Sequence, residues 1–439
     1  MNSRSCFLLL LLVSTLTAQQ LSPAPKVHLV DITPKPGYFN EPSIAVNVNN
    51  PQQVAVAWQV NASVAYSQDG GQTWTIAQGA APREYRISGD VSITYDAGGR
   101  AVLCYIAFDK LGTSQYWAHG ATRNGIFVRR SGDAGKTWPS NATAVISHES
   151  TPQIPFEDKP YIVAATSGPH AGDLYIGWTQ FTLSTTELLF SRSTDGGTTW
   201  SKPIKLSSIP GLPRDDNGAL EGFDGVVAPD GTLYTIWDDR DGIMMAESHD
   251  GGVSFSKERR ILRTGPGFFG ITGVSRSNGF PQIGIDPRNG TLYVSWSDYS
   301  NGDVDIFVSS SSDRGQVWSA PVRVNNDSIH NGTDQFFQWL AVDPVNGAVS
   351  LVFYDRRTDN KQTTVTLARS TDNGKTFSNY ALDQQAFEAE GDFLGDYLAL
   401  AAYGNKVFAA WAHQTSEEAK SERGRKTRTV LRVGVADFN

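Results

Sequence analysis

One eight-residue pattern, Ser-x-Asp-x-Gly-x-(Thr/Ser/Val)-(Trp/Phe), occurs six times in this chain. The copies run from Ser67 to Trp74, Ser131 to Trp138, Ser193 to Trp200, Ser248 to Phe255, Ser311 to Trp318 and Ser370 to Phe377. Their aspartates are 64, 62, 55, 63 and 59 residues apart. Recurrence at near-constant spacing is the signature of a repeat architecture, in which each period is one supersecondary unit that buries its apolar face against its neighbours. The chemistry of the pattern is that of a tight turn. An Asp carboxylate accepts N–H groups of the turn that follows it. The glycine two residues later supplies positive φ. The aromatic residue brings a large area to bury between sheets. All six aspartates are therefore expected to be structural.

The segments before each pattern also repeat. A first strand is read at Ser43–Val46, Val91–Tyr95, Tyr161–Ala164, Val226–Ala228, Gln282–Ile285, Trp339–Val342 and Tyr397–Leu400. Second strands end near Trp58, Phe108, Trp178, Trp237, Trp296, Tyr354 and Trp411, and a third strand runs into the turn. That makes seven units for six turns, and the last unit stops after Thr429–Val435 without a fourth strand. Lys26–Ile32 reads as a strand that can complete it, closing the ring and removing an open edge. The expected fold is all-β: a seven-bladed β-propeller of four-stranded antiparallel blades, with six blades as the alternative. Chain direction places the Asp-centred turns on one face. The starts of the first strands, the loops between second and third strands and the blade-to-blade loops fall on the other. A loop-rich axial mouth is where a propeller is expected to work.

Composition narrows the rest. Of the 439 residues, 39% are hydrophobic and 19% charged, so the chain is globular rather than disordered. A formal net charge of −8 argues against nucleic acid or an anionic membrane surface as the main partner. Arg4 followed by the apolar run Phe7–Val13 and small residues to Ala18 reads as a signal peptide, residues 1–18. The mature chain, 19–439, is then expected to be a single domain, secreted or periplasmic and monomeric, and no later segment is apolar enough to span a bilayer. Its one remaining cysteine, Cys104, lies in an apolar run and is expected to be a buried structural thiol. The histidines show no metal-ligand spacing, so neither metal nor cofactor is expected. Glu417–Arg428 is a charge-dense stretch expected to be a solvated loop.

The six turns resemble the Asp-box, or bacterial neuraminidase repeat, of the sialidase superfamily. The resemblance covers nearly all of the mature chain. It implies a glycan-active propeller in which arginines grip a substrate carboxylate, a tyrosine paired with a glutamate is the nucleophile, and an aspartate is the acid/base. Arginine suits that clamp because it binds carboxylates bidentately, and a tyrosine nucleophile is a known exception to two-carboxylate glycoside hydrolysis. On the matching stretches the resemblance implies Tyr397 as nucleophile, Glu221 or Asp224 as its acidic partner, and Asp90 or Asp109 as acid/base. It implies Arg240 with Arg356 or Arg357 as clamp arginines, and Asp238, Asp298 and Asp355 join the substrate-binding set at second-strand ends. One departure stands out: Glu41, before Pro42, occupies the place of the family's first arginine, and Arg83 or Arg86 is the candidate replacement. Glu41, Asp90, Asp158, Asp224 and Asp396 all fall within a few residues of a first strand, and are expected to form an acidic ring that either takes a cation or a basic sugar or is simply solvated. The same arginines also fit surface ion pairs, and Tyr397 also fits a core position. The expected function is a secreted glycoside hydrolase acting on a sugar, acidic ones included. The alternatives are a non-catalytic glycan- or protein-binding propeller, and a lyase using His413.

Overall fold

The computed structural model describes residues 24–80, 85–110, 120–149, 154–215, 217–265, 267–389, 393–420 and 426–439. The segment 1–18, read above as a signal peptide, and Arg83 lie outside the described residues. Seven four-stranded antiparallel sheets follow one another along the chain, as the repeat predicts. In six of them the strands are consecutive; the seventh is built from Ala399–Tyr403, Lys406–Lys420, Lys426–Asp437 and, from the other end of the chain, Lys26–Asp31. The first strands of successive blades touch around a ring, and the seventh touches the first. Among the described residues no helix is long and apolar enough to cross a membrane.

Ring closure is an antiparallel ladder from Lys26↔Asp437 to Asp31↔Arg432. Beyond the ladder, the Arg432 guanidinium donates to both Asp31 oxygens at 2.6 and 3.0 Å, and the Leu431 N–H donates to Thr33 Oγ1 at 2.9 Å. Ile32, next along, enters the core shared by blades 7 and 1. The charge-dense stretch expected as a loop differs. Its two arms continue the second and third strands of blade 7 as a ribbon, pairing Ala419 with Thr427 and Lys420 with Lys426. Antiparallel pairing satisfies the backbone there whatever the side-chain polarity. Cys104 is free and buried in blade 2, and burial pushes its thiol up.

The Asp-centred turns join third to fourth strands, on the face away from the first-strand starts. Asp250 is representative: Oδ1 accepts the Val253 and Ser254 N–H groups at 3.0 and 2.9 Å, and Oδ2 accepts the Ser254 hydroxyl at 2.6 Å. Ser248 Oγ donates to the same carboxylate and accepts the Gly252 N–H at 2.9 Å. These donors hold Asp69, Asp133 and Asp195 at about 2, below the usual carboxylate range, although slight burial acts the other way. Each turn glycine also docks onto the blade before it: Gly71 on Val435, Gly135 on Ala55, Gly197 on Val128, Gly252 on Phe190, Gly315 on Met245 and Gly374 on Val308. Arg130 and Arg192 add donors to the next turn, at Thr198 Oγ1 (2.7 Å) and the Gly251 carbonyl (3.1 Å).

A second seam runs around the axis. Ser43 Oγ accepts the Ile93 N–H at 3.0 Å, Ser92 Oγ accepts the Ile162 N–H at 3.1 Å, and Asp224 Oδ2 accepts the Ile283 N–H at 2.9 Å. In each case a first-strand side chain caps a backbone donor of the next blade. Asp224 thus does in blade 4 what a serine does in blades 1 and 2. Burial raises its carboxyl to about 7 even though Ile283 and Gly225 donate to it.

Two outcomes are expected. Gly252 has φ 78°, and a β-carbon there would lie 2.9 Å from the Phe190 ring. Gly252→Ala should therefore cost about 1–3 kcal/mol in stability, read as a lowered denaturation midpoint; an unchanged midpoint would show that the blades slide freely at this joint. For Asp224 the folded state holds a proton that the unfolded chain releases near its ordinary pKa, 3.8. Its contribution is complete below 3.8 and lost as pH rises to about 7. Asp224→Asn, which cannot ionise, should gain in melting temperature relative to the parent between pH 4 and pH 8, and a pH-independent difference would contradict the assignment.

Candidate functional site

Two residues ahead of the seam position, the first strands carry a kink. Glu41, Asp90, Lys159, Gly222 and Phe337 have φ of 50, 42, 48, 69 and 54°. In blades 2, 3, 4 and 6 the register shifts between first and second strands at this point, which marks a β-bulge. Bulges re-aim side chains and gather near functional sites. Non-glycine residues in this region store strain of about 1–3 kcal/mol each. Here the strained residues include two acids and a base, all at the top of the axial channel.

The channel mouth is a cleft lined by Pro42, Ser43, Val91, Lys159, Tyr161, Phe223, Asp224, Phe280, Gln282, Trp339 and Tyr397, among others. Around it stand Glu41, Asp90, Asp158, Glu221 and Asp396, from five different blades. Asp158 and Asp90 face each other at the mouth, and the Lys159 N–H donates to Asp90 Oδ2 at 3.3 Å. Burial, then the Asp90 charge, raises Asp158 well above the ordinary carboxylate value. Burial raises Glu41 too, with Asp90 and Asp396 adding to it, and it raises Glu221, with Asp215 adding to it. Lys159 and Arg276 oppose the rise at both glutamates.

Two cations sit among these acids. The Lys159 ammonium lies 4.3 Å from the centroids of both the Phe280 and Tyr397 rings, a cation–π seat. Its Nζ is buried with no hydrogen-bond partner among the described residues, and so are Glu41 Oε2, Asp158 Oδ1 and Glu221 Oε1. Buried polar atoms are normally paired, so four unpaired ones at a single mouth mark a place for a polar ligand. Arg276 differs, because its hydrogen bonds are made. It grips Asp396 through Nε at 2.8 Å and through Nη2, and it reaches Asp215 through Nη1 at 3.1 Å. It belongs to the segment between blades 4 and 5, in which Phe268–Phe269 pairs with Ser277–Asn278, and Asn278 Nδ2 donates to the Asp396 carbonyl at 3.0 Å. The segment thereby straps the mouth to blade 7. Behind Asp158, Glu157 is fully buried and accepts from Trp178 Nε1 at 2.5 Å and Gln180 Nε2 at 2.7 Å, with His148 Nε2 at 2.6 Å. That fixes the strand presenting Asp158 and Lys159.

The residues named from sequence divide. Asp90, Glu221, Asp224 and Tyr397 come together at the mouth with the acidic ring. Tyr397 is buried against Trp339, and burial followed by Glu41 and other acids raises its phenol well above 10. Arg356 and Arg357 are engaged elsewhere in blade 6. Arg356 donates to Thr363 Oγ1 at 2.9 Å and to the Thr272 carbonyl at 2.6 Å, and Arg357 pairs with Asp355 at 2.6 Å. Asp355 also accepts from Thr366, and Asp298 accepts from Trp296 Nε1 at 2.9 Å and the Ser300 N–H at 2.8 Å. Asp238 is buried, and its charge is disfavoured by burial and by Asp239. Arg240 and Arg86 are exposed. Asp109 caps the Thr122 N–H at 2.9 Å, and His413 is buried against Phe387. Arg276 and Lys159 were not singled out from sequence. Arg276 carries no local signal, because its partners are 61 and 120 residues away. Lys159 had one: it follows Asp158 immediately before a first strand.

The family model for the BNR/Asp-box repeat matches residues 65–75. No curated protein matches the chain by sequence. Among solved structures, a Hadza microbial sialidase is similar over 88% of this chain and 74% of its own, with 15% identity and a TM-score of 0.51. A Penicillium chrysogenum alpha-L-arabinanase aligns over 94% and 99% at 13% identity and a TM-score of 0.49. A Streptococcus pneumoniae sialidase aligns over 94% and 70% at 12% identity and a TM-score of 0.47. With its six turns and seven blades, the chain is a seven-bladed β-propeller carrying Asp-box repeats, similar in fold to that sialidase.

Proposed function

We propose that this propeller is a glycan-active enzyme of the glycoside hydrolase kind, working in the axial cleft through carboxyl chemistry. The observation that carries the reading is the group of buried, unpaired carboxyl oxygens of Glu41, Asp158 and Glu221 gathered from three blades around the Lys159 ammonium. Cleaving a glycosidic bond needs a proton for the leaving oxygen, and a second carboxyl group that attacks the sugar or activates water. Asp158, whose carboxyl is raised well above the ordinary value by burial and then by the Asp90 charge, is suited to the first task. Glu41 and Glu221 are raised by burial too, with Lys159 and Arg276 opposing the rise, and they stand where the second group is needed. The sialidase resemblance implies a different division, with Tyr397 as nucleophile. In that division the acidic partner of Tyr397 is Glu221 or Asp224, both at the same mouth. The sialidase name of the fold relative supports a carbohydrate ligand. The leader-like segment 1–18 supports action outside the cytoplasm.

A purely binding propeller is the second reading. It is favoured by Glu41 standing where the family's first clamp arginine belongs.

Product release from a panel of aryl glycosides and polysaccharides decides between them. Asp158→Asn should lower kcat by roughly 10²–10⁴-fold, the span of general acid catalysis. If Tyr397→Phe is equally inactive, the tyrosine nucleophile stands; if it keeps most of the turnover, the carboxyl route stands. Binding without release of any product would leave only the second reading.

A further inference from the structure

Resting on the proposal that the cleft takes a glycan, we infer that the sugar unit seated over Lys159 is uncharged and hydroxyl-rich, and that anionic sugars are rejected. The unpaired atoms give the match. Three are carboxyl oxygens, on Glu41, Asp158 and Glu221, and one is the Lys159 ammonium. Glu41, Asp158 and Glu221 are only 1, 6 and 5% exposed, so water does not serve them freely. Their pattern, several acceptors around one strong donor, is complementary to adjacent hydroxyl groups, each of which both donates and accepts.

Among the described residues of the cleft, an anionic group finds no comparable seat. Binding a carboxylate well takes an arginine with its donor fork free. Arg276, the arginine at the mouth, already holds Asp396 and Asp215. Arg356 is engaged by Thr363 and the Thr272 carbonyl, and Arg357 by Asp355. A sugar carboxylate at Lys159 would enter a poorly solvated cleft in which burial already disfavours the negative charge of Glu41, Asp158 and Glu221. A cationic sugar or a metal ion is disfavoured by the converse reasoning. The Lys159 ammonium, fixed between Phe280 and Tyr397, already supplies the positive charge among those acids. Trp339, half-buried in the cleft lining, offers an apolar ring for the C–H face of the sugar.

The test is binding of galactose, galacturonate, glucose, glucuronate and N-acetylneuraminate to the full-length protein, by titration calorimetry or ligand-observed NMR at one ionic strength. At least one neutral sugar should bind about tenfold or more tightly than its uronate, a 1.4 kcal/mol difference. Lys159→Met and Glu221→Gln should each weaken the neutral sugar by about tenfold or more. Should Lys159→Met not fold, the Glu221→Gln variant and the parent's neutral-to-uronate ratio carry the comparison. Equal or tighter binding of a uronate or of N-acetylneuraminate would overturn the inference, and so would no binding by any of the five. Glycoside cleavage is scored separately. Neutral-sugar binding with no cleavage removes the hydrolase reading and keeps this one. Cleavage of a sialoside or uronide, with tight binding of the acid, does the reverse.

Discussion

Closure of the ring by Lys26–Asp31 against Lys426–Asp437 is the constraint on which the rest depends. An open row of seven sheets would present bare backbone edges at both ends. It would also have no axis, and the mouth exists only around an axis. Glu41, Asp90, Asp158, Glu221 and Asp396 come from five blades, so no blade contains a site of its own. The ladder supplies the backbone pairing, and the Arg432–Asp31 fork adds a charge-assisted joint between residues 401 apart in sequence. A fold of this kind can do without disulfides because every blade is sealed on both sides by apolar packing.

The architecture was legible because its determinants are local and repeated. A turn that needs Asp, Gly and an aromatic at fixed offsets writes itself six times into the chain. The count of first strands then gives the seventh blade, and the unpaired N-terminal strand gives its closure. The acidic ring was legible for a similar reason: its members sit at equivalent offsets from first strands. What lay beyond the sequence depends on contacts across the ring. Arg276 becomes part of the mouth only because a segment between blades 4 and 5 reaches Asp396 of blade 7. Arg356 and Arg357 looked like clamp arginines from their strand-end position. Their real partners, Thr363, Thr272 and Asp355, are set by how blade 6 packs. The identity of a strand end says where a side chain starts, not where its charge goes.

Strain and relaxation divide between the two faces. On the face of the Asp-centred turns, the positive φ angles fall largely on glycines and every carboxylate is amply supplied with donors. At the mouth, Glu41, Asp90 and Lys159 hold left-handed backbone without a glycine's freedom, and several polar atoms go unpaired. A sequence selected only for stability would relieve both defects. Their concentration at one end of the axis is the pattern of a site whose cost is borne by the rigid ring beneath it.

Six turns in a seven-bladed ring also leave one joint unlike the others. Turn glycines of blades 1 to 6 dock on blades 7, 1, 2, 3, 4 and 5, so the boundary between blades 6 and 7 has no such plug. A buried polar cluster spans it instead: Arg432 of blade 7 donates to Asp383 and Gln385 of blade 6 at 2.8 and 2.9 Å, with neutral His413 enclosed beside Phe387. The ring is thus mechanically asymmetric. Apolar packing runs across all seven boundaries, and the one between blades 6 and 7 adds buried charge where the others have a turn glycine. That boundary adjoins the blade that carries both the closing ladder and the far end of the strap over the mouth, so parting the wheel there would undo the ring and the mouth together.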